Sequence, residues 1–150
     1  SNDNALGQSV LSGEIGAIDY IVSNSKSLNI KRAIRLPVSA PFHCELMRSA
    51  SEIMGTELKK YKFRKFNVPL FSNVTSNKCN ADEISRLLEL QVISKVRWRE
   101  IIENMINDGF ESFIEIGPGN VLTNLVRRIS KNVNTYSIST ISDIEKIKNL

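Results

Sequence analysis

The sequence has few of the side chains that most often build metal or covalent sites. Its 150 residues include a single histidine, His43, and two cysteines, Cys44 and Cys79. The cysteines lie far apart, and neither a CxxC pair nor a second histidine is present to complete a metal site. We therefore expect no metal, and free thiols in a reducing, cytoplasmic setting.

Long apolar runs are also missing. No stretch approaches the roughly 20 apolar residues that cross a bilayer, and residues 1–7 are polar without an apolar targeting core. We therefore expect a soluble chain with no membrane partner. The net charge is +4, but basic and acidic residues are interspersed, so nucleic acid is not expected either. A phosphate-bearing ligand or an acidic protein fits this modest positive excess.

The apolar periodicity predicts strands that alternate with helices. This pattern favours an α/β fold with a largely parallel sheet, whose active site would lie beyond the carboxyl ends of the strands. Residues 1–39 are predicted as β-α-β, with strands at 8–13 and 31–39 around a helix from 15 to about 27. Further helices are predicted at 45–61, from an N-cap at Asp82 to about 90, at 98–107, at 121–129 and from about 142, and further strands at 68–74, 110–116 and 135–139.

Two segments lie where such a site is expected. His43 follows the proline-bracketed end of the second predicted strand and is either a general base or a residue near a helix start. The turn Gly117-Pro118-Gly119 either cradles an anion at a helix N-terminus or is a tight connection that needs glycine. The cations Lys31 and Arg32 are either solvated or hold a phosphate. No serine stands in a GxSxG turn.

Several motifs resemble those of malonyl-CoA:acyl carrier protein transacylases. They occur in the family's order from about residue 2 to residue 130, and the histidine motif combined with GPGxVL is specific. The matching segments are Asn2, Asn4, Gly7 and Gln8; Lys31-Arg32-Ala33; residues 36–47 (LPVSAPFHCELM); Val68-Pro69 with Ser72-Asn73-Val74; Gln91, seven residues before Trp98; and residues 115–122 (EIGPGNVL).

The resemblance implies transfer of malonyl from coenzyme A, through an acyl-serine, to the phosphopantetheine thiol of acyl carrier protein. His43 matches the base, and Gln91 matches the position whose backbone carbonyl orients it. Lys31 and Arg32 match cations near phosphates, and Asn2 and Asn4 match residues lining the cleft. The expected partners are malonyl-CoA and acyl carrier protein; coenzyme A is a substrate, and no cofactor is expected.

The resemblance also implies an incomplete enzyme. Family members are about twice as long, and their first half carries the Gly-His-Ser-Leu-Gly nucleophile turn, which is absent here. Residues 1–38 match part of a ferredoxin-like small lobe, and 39–150 match the C-terminal part of an α/β hydrolase-like large lobe. We expect a missing N-terminal half to complete both lobes, and the chain alone to be inactive.

The chain departs from the family pattern at Ser94-Lys95, where the family usually has Asn-Pro. The loop that follows Gln91 is therefore expected to differ. Two other functions stay open at this point: a non-catalytic module that binds coenzyme A or carrier protein, and a polyketide-type acyltransferase domain.

Overall fold

The computed structural model describes residues 1–147, with side-chain surroundings given to residue 145. Strands and helices alternate over much of the chain, in agreement with the predicted α/β class. The strands are β1 (Asn2–Ala5), β2 (Gln8–Val10), β3 (Leu70–Phe71), β4 (Lys78–Cys79), β5 (Ser112–Ile116) and β6 (Asn134–Ile138). The helices are α1 (Ile15–Ser23), α2 (Arg48–Leu58), α3 (Ala81–Gln91), α4 (Trp98–Asn107), α5 (Val121–Ile129) and α6 (Ile141–Ile147), and a short 3-10 turn (Glu45–Met47) precedes α2.

The described strands form three two-stranded sheets. β1 and β2 make an antiparallel hairpin, and β3 pairs with β4 in the same sense. Only β5 and β6 are parallel, in register from Ser112 opposite Asn134 to Ile116 opposite Ile138, with α5 as the crossover helix. The prediction of a largely parallel sheet therefore holds for this β-α-β unit alone.

The predicted strand at 31–39 is wrong, and with it the β-α-β assignment of residues 1–39. None of residues 31–39 lies in a strand, and the amide of Val38 bonds locally to the carbonyl of Leu36 at 2.9 Å. A strand needs a neighbour to pair with, and Pro37 and Pro41 have no amide hydrogen to offer one. The pairing partner of β2 is instead β1, which the periodicity did not predict.

The helices follow their predictions more closely because their signals are local. α4 and α5 have the predicted bounds, whereas α1 and α2 are shorter at their ends. The predicted N-cap at Asp82 is wrong: Asn80 is the N-cap of α3, and its amide donates to the Glu83 carboxylate at 3.1 Å. A residue three positions after the cap is the one that can reach back to it.

Two small groups of buried apolar side chains hold the chain together. α4 and α5 contact each other and β1, and they bury Ile101, Ile102, Leu125, Val126 and Ala5. Cys79, Ile84 and Leu87 form a second cluster, against which Phe66, Val74 and Leu88 pack. Burial raises the pKa of the Cys79 thiol, and the nearby Glu83 carboxylate adds to this effect. None of the described helices is long and apolar enough to cross a membrane.

Candidate active site

His43 is held by a main-chain atom from the end of α3. Its Nδ1 lies 2.9 Å from the carbonyl oxygen of Gln91, 48 residues further along the chain. A carbonyl oxygen only accepts hydrogen bonds, so Nδ1 carries the hydrogen, and in the neutral ring Nε2 keeps its lone pair. The ring is half-buried. The structure thus brings together the two residues that the resemblance pairs.

The backbone at His43 has an unusual conformation. Its φ is 59°, in the left-handed region that few residues other than glycine adopt. Two local bonds accompany it: the Cys44 thiol donates to the carbonyl of Pro41 at 3.0 Å, and the amide of Phe42 donates to Ala40 at 3.0 Å. Non-glycine residues in this region cluster at functional sites, where surrounding contacts maintain the strain. No feature of the sequence predicts this bond of the Cys44 thiol.

The end of α3 that carries the Gln91 carbonyl is fastened to α2. Ser51, only 1% exposed, donates its hydroxyl to the carbonyl of Glu89 at 2.7 Å. One turn further along α2, a Cβ on Gly55 would come within 2.5 Å of the Glu89 carboxyl group, so the Glu89 side chain lies against this glycine. Because His43 lies just before α2, this contact sets the distance between the imidazole and its acceptor. Sequence reasoning missed Ser51, since nothing distinguishes a buried serine in the periodicity.

The segment after Gln91 is tied to β1, which contains Asn2 and Asn4. Val96 donates its amide to Ser1 at 2.7 Å and accepts the amide of Asp3 at 2.9 Å. The Asp3 carboxylate also pairs with both Nε and Nη2 of Arg99, at 3.2 and 2.8 Å. These bonds, with a further one to Glu103, raise the pKa of Arg99.

This anchoring of β1 brings Asn2 to the loop that follows Gln91, opposite Val96. Ser94 and Lys95, where the family has Asn-Pro, lie in this loop. It runs directly into α4, and Lys95 pairs with Glu100 at 3.5 Å. The carbonyl of Gln91 still reaches His43.

The structure does not join Lys31 and Arg32 to the other predicted residues: both side chains are exposed and make no ion pair or hydrogen bond within the described part of the chain.

The Gly117-Pro118-Gly119 turn is occupied by the chain's own groups. The Glu115 carboxylate accepts the amides of Leu122 at 3.1 Å and Thr123 at 2.8 Å, at the start of α5. These bonds hold the pKa of Glu115 below its ordinary value, and the bond from the Thr123 amide has the largest effect. Of the two interpretations of this turn, the tight connection is therefore favoured over an anion site.

One groove of the structure has none of the predicted site residues in its lining. It encloses about 620 Å³ and is lined by residues of the 63–69 segment and by the start of α3. We therefore base the candidate site on the paired groups His43 and Gln91.

Comparison with known proteins finds relatives that are named for the transfer of acyl groups. No protein-family model matches it. It is 35% identical over 146 residues to the malonyl CoA-acyl carrier protein transacylase of Staphylococcus aureus (strain COL), covering 97% of this chain and 47% of that protein. The Bacillus subtilis (strain 168) transacylase is 38% identical over 147 residues, covering 97% and 46%.

Solved structures agree with these relatives. The acyl-carrier-protein-S-malonyltransferase of Bartonella henselae superposes with a TM-score of 0.91 at 41% identity, covering 97% of this chain and 47% of its own. A type II PKS acyl carrier protein in complex with its malonyl-transacylase gives 0.93 at 34% identity, with 99% and 49% covered.

The chain spans about half the length of the curated relatives that it matches. It corresponds to the C-terminal half of the malonyl CoA-acyl carrier protein transacylases, and the family resemblance predicted from its motifs is confirmed.

Proposed function

We propose that this chain is the histidine-bearing half of an enzyme that moves malonyl from coenzyme A to acyl carrier protein. His43 Nε2 takes the proton of a serine hydroxyl supplied by a segment outside this chain. The serine oxygen attacks the thioester carbonyl, the carbon–sulfur bond breaks, and the proton passes to the leaving thiolate. The phosphopantetheine thiol of the carrier protein then takes the acyl group by the reverse sequence.

The single observation that carries this proposal is the 2.9 Å contact between His43 Nδ1 and the carbonyl of Gln91. It selects the tautomer whose Nε2 can accept a proton, and it fixes the plane of the ring. Gln91 ends α3, and the C-terminal end of a helix carries partial negative charge, which stabilises the imidazolium formed when the base is protonated.

Substrate binding is proposed for the four residues that the family resemblance matches to it. The exposed cations Lys31 and Arg32 suit the phosphates of coenzyme A or of the carrier protein's prosthetic group. Asn2 and Asn4, on β1, would line the cleft. Residues 1–38, which contain both, would form part of a ferredoxin-like small lobe, and residues 39–150 would belong to the large lobe. The solved relative in complex with a carrier protein supports acyl carrier protein as the acceptor.

An unpaired apolar surface supports the other half of the enzyme as a partner. Ile114 and Ile116 lie on the same face of β5 and are exposed, Ile116 by 82%. Strands of parallel sheets are ordinarily covered on both faces. We propose that the half of the transacylase that this sequence does not match covers β5 and brings the serine to His43.

The orientation of His43 can be tested on the 150-residue chain itself. Its imidazole signals are unambiguous in nitrogen-15 NMR because it is the only histidine. We expect the neutral ring to carry its hydrogen on Nδ1. A ring protonated on Nε2 instead would remove the base proposed here, since the serine would then meet a donor.

The activity is tested on the enzyme completed by its other half. His43→Ala should lower the malonyl transfer rate by roughly 100- to 10,000-fold, the range that general base catalysis contributes. Glu52→Gln, an exposed change on α2, is the matched control and should leave the rate unchanged. Undiminished transfer by His43→Ala would exclude His43 from the mechanism, whereas the chain alone should show no transfer.

A further inference from the structure

A concentrated positive charge lies on the connection between α2 and β3. Residues 59–66, which we call the basic strap, contain Lys59, Lys60, Lys62, Arg64 and Lys65, and no acidic residue occurs between Glu57 and Asp82. Taking these five cations from the net charge of +4 leaves −1 for the rest of the chain. The basic character that looked dispersed along the sequence therefore resides in one short segment.

The protein neutralises one of the five charges of the strap and leaves the other four unpaired within the described residues. All five cations are exposed. Within the residues that the structure describes, one ion pair involves the strap, between Lys60 and Glu57 at 2.6 Å. The other four cations have no acidic partner there, so their charge faces solvent.

Both ends of the strap are fixed. The amides of Lys60 and Tyr61 donate to the carbonyls of Glu57 and Leu58 at the end of α2, at 3.0 and 3.1 Å. At the other end, Phe66 packs against the buried cluster around Cys79. The cations are therefore presented at a defined place on the molecule, in a segment that is neither helix nor strand.

Exposed apolar groups accompany the cations. Tyr61 is 65% exposed and Phe63 37%, and Val68, just beyond the strap, is also largely exposed. Aromatic rings beside lysines are the combination that lies at a bilayer interface, where rings insert at headgroup level and amines contact anionic lipids.

We propose that the basic strap is a docking surface for an anionic bilayer. Four of its five cations are lysines, which act as point charges and suit a diffuse negative surface. Specific recognition of phosphate in nucleic acids favours the planar fork of arginine. This surface is separate from the site at His43, and the proposal does not depend on the transacylase activity.

The test is sedimentation of the enzyme completed by its other half, in which the apolar face of β5 is covered, with vesicles of phosphatidylcholine containing about one third phosphatidylserine. The triple variant Lys62→Gln, Arg64→Gln and Lys65→Gln should bind on the order of 100-fold more weakly, since each cation near such a surface contributes about fivefold. Raising the salt from about 0.1 M to about 1 M should release the unmodified chain, because the screening length falls to about 3 Å. Tyr61→Ser should weaken binding roughly several-fold without changing its salt dependence.

A matched control separates the strap from net charge alone. Lys26→Gln, Arg86→Gln and Lys131→Gln remove two lysines and one arginine from exposed positions elsewhere, so both triple variants have a net charge of +1. The control should retain most of the binding.

Three results would overturn the proposal: equal losses in the two triple variants, equal binding to pure phosphatidylcholine, or displacement from vesicles by a single-stranded oligonucleotide at equimolar charge. The last would assign the strap to nucleic acid. The substituted side chains have no partners in the described structure, so circular dichroism should show an unchanged fold.

Discussion

Replacement of Glu115 by glutamine tests how the turn at the start of α5 is held. The carboxylate accepts two main-chain amides, those of Leu122 and Thr123, at 3.1 and 2.8 Å. A side chain in such a position stabilises a protein by about 1 kcal/mol, and the attraction between its charge and the helix dipole adds about 0.3–1 kcal/mol. Glutamine keeps one oxygen acceptor but loses the charge. We therefore expect Glu115→Gln to lower the free energy of unfolding by about 1 kcal/mol at neutral pH.

The loss should depend on pH in a defined direction. The amides hold the pKa of Glu115 below its ordinary value in the folded chain. A group with a lowered folded-state pKa stabilises fully above its unfolded pKa, near 4.3 for glutamate. That stabilisation disappears as the pH falls through the lower, folded value. The wild-type chain and Glu115→Gln should therefore differ at neutral pH and converge in strong acid.

Urea denaturation followed by circular dichroism measures this difference. With a denaturant slope of about 2 kcal/mol per molar, the expected shift of the midpoint at neutral pH is about 0.5 M. Glu111→Gln is the control, because the exposed Glu111 side chain makes no bond within the described residues. An equal midpoint for Glu115→Gln and wild type at neutral pH, or a gap that persists in strong acid, would refute this account of the turn.

Two further substitutions address the support of the candidate base. Ser51→Ala removes the buried hydroxyl bonded to Glu89 and should cost about 1 kcal/mol in urea denaturation, while Ser49→Ala, exposed on the same helix, should cost nothing measurable. His43→Gly should be more stable than His43→Ala by about 0.5–1 kcal/mol, since glycine avoids the left-handed penalty at φ 59° and both variants lose the bond to Gln91. A more stable alanine variant would contradict the presence of strain.

The predictions from sequence succeeded where the signal lies within one element. The apolar spacing of α4 and α5, and the Asp108-Gly109 and Asn120 positions beside them, are enough to place both helices. The start of α3 also has a local signal. Asn80 and Asp82 both favour caps, and only Asn80 has a glutamate three residues later, which decides between them.

Strand prediction failed where pairing, and not alternation, decides the structure. Residues 31–39 alternate suitably, but a strand exists only when a neighbour satisfies its amides and carbonyls, and Pro37 weakens that pairing. In the hairpin, the sequence predicts β2 but not β1, for the same reason. β1 is polar along most of its length and is fixed by bonds to Val96 and Arg99, far along the chain.

The site itself shows what a sequence pattern can carry. The motif around His43 identifies the base by resemblance, but its partner is a main-chain oxygen 48 residues away, and any residue type supplies such an oxygen. Two features position this oxygen: the residue at which α3 ends, and the contact of α2 with Glu89 through Ser51 and Gly55. Changes at Gln91 that preserve the helix end therefore leave the acceptor in place. Changes that move α3 relative to α2 displace it without altering any residue of the motif.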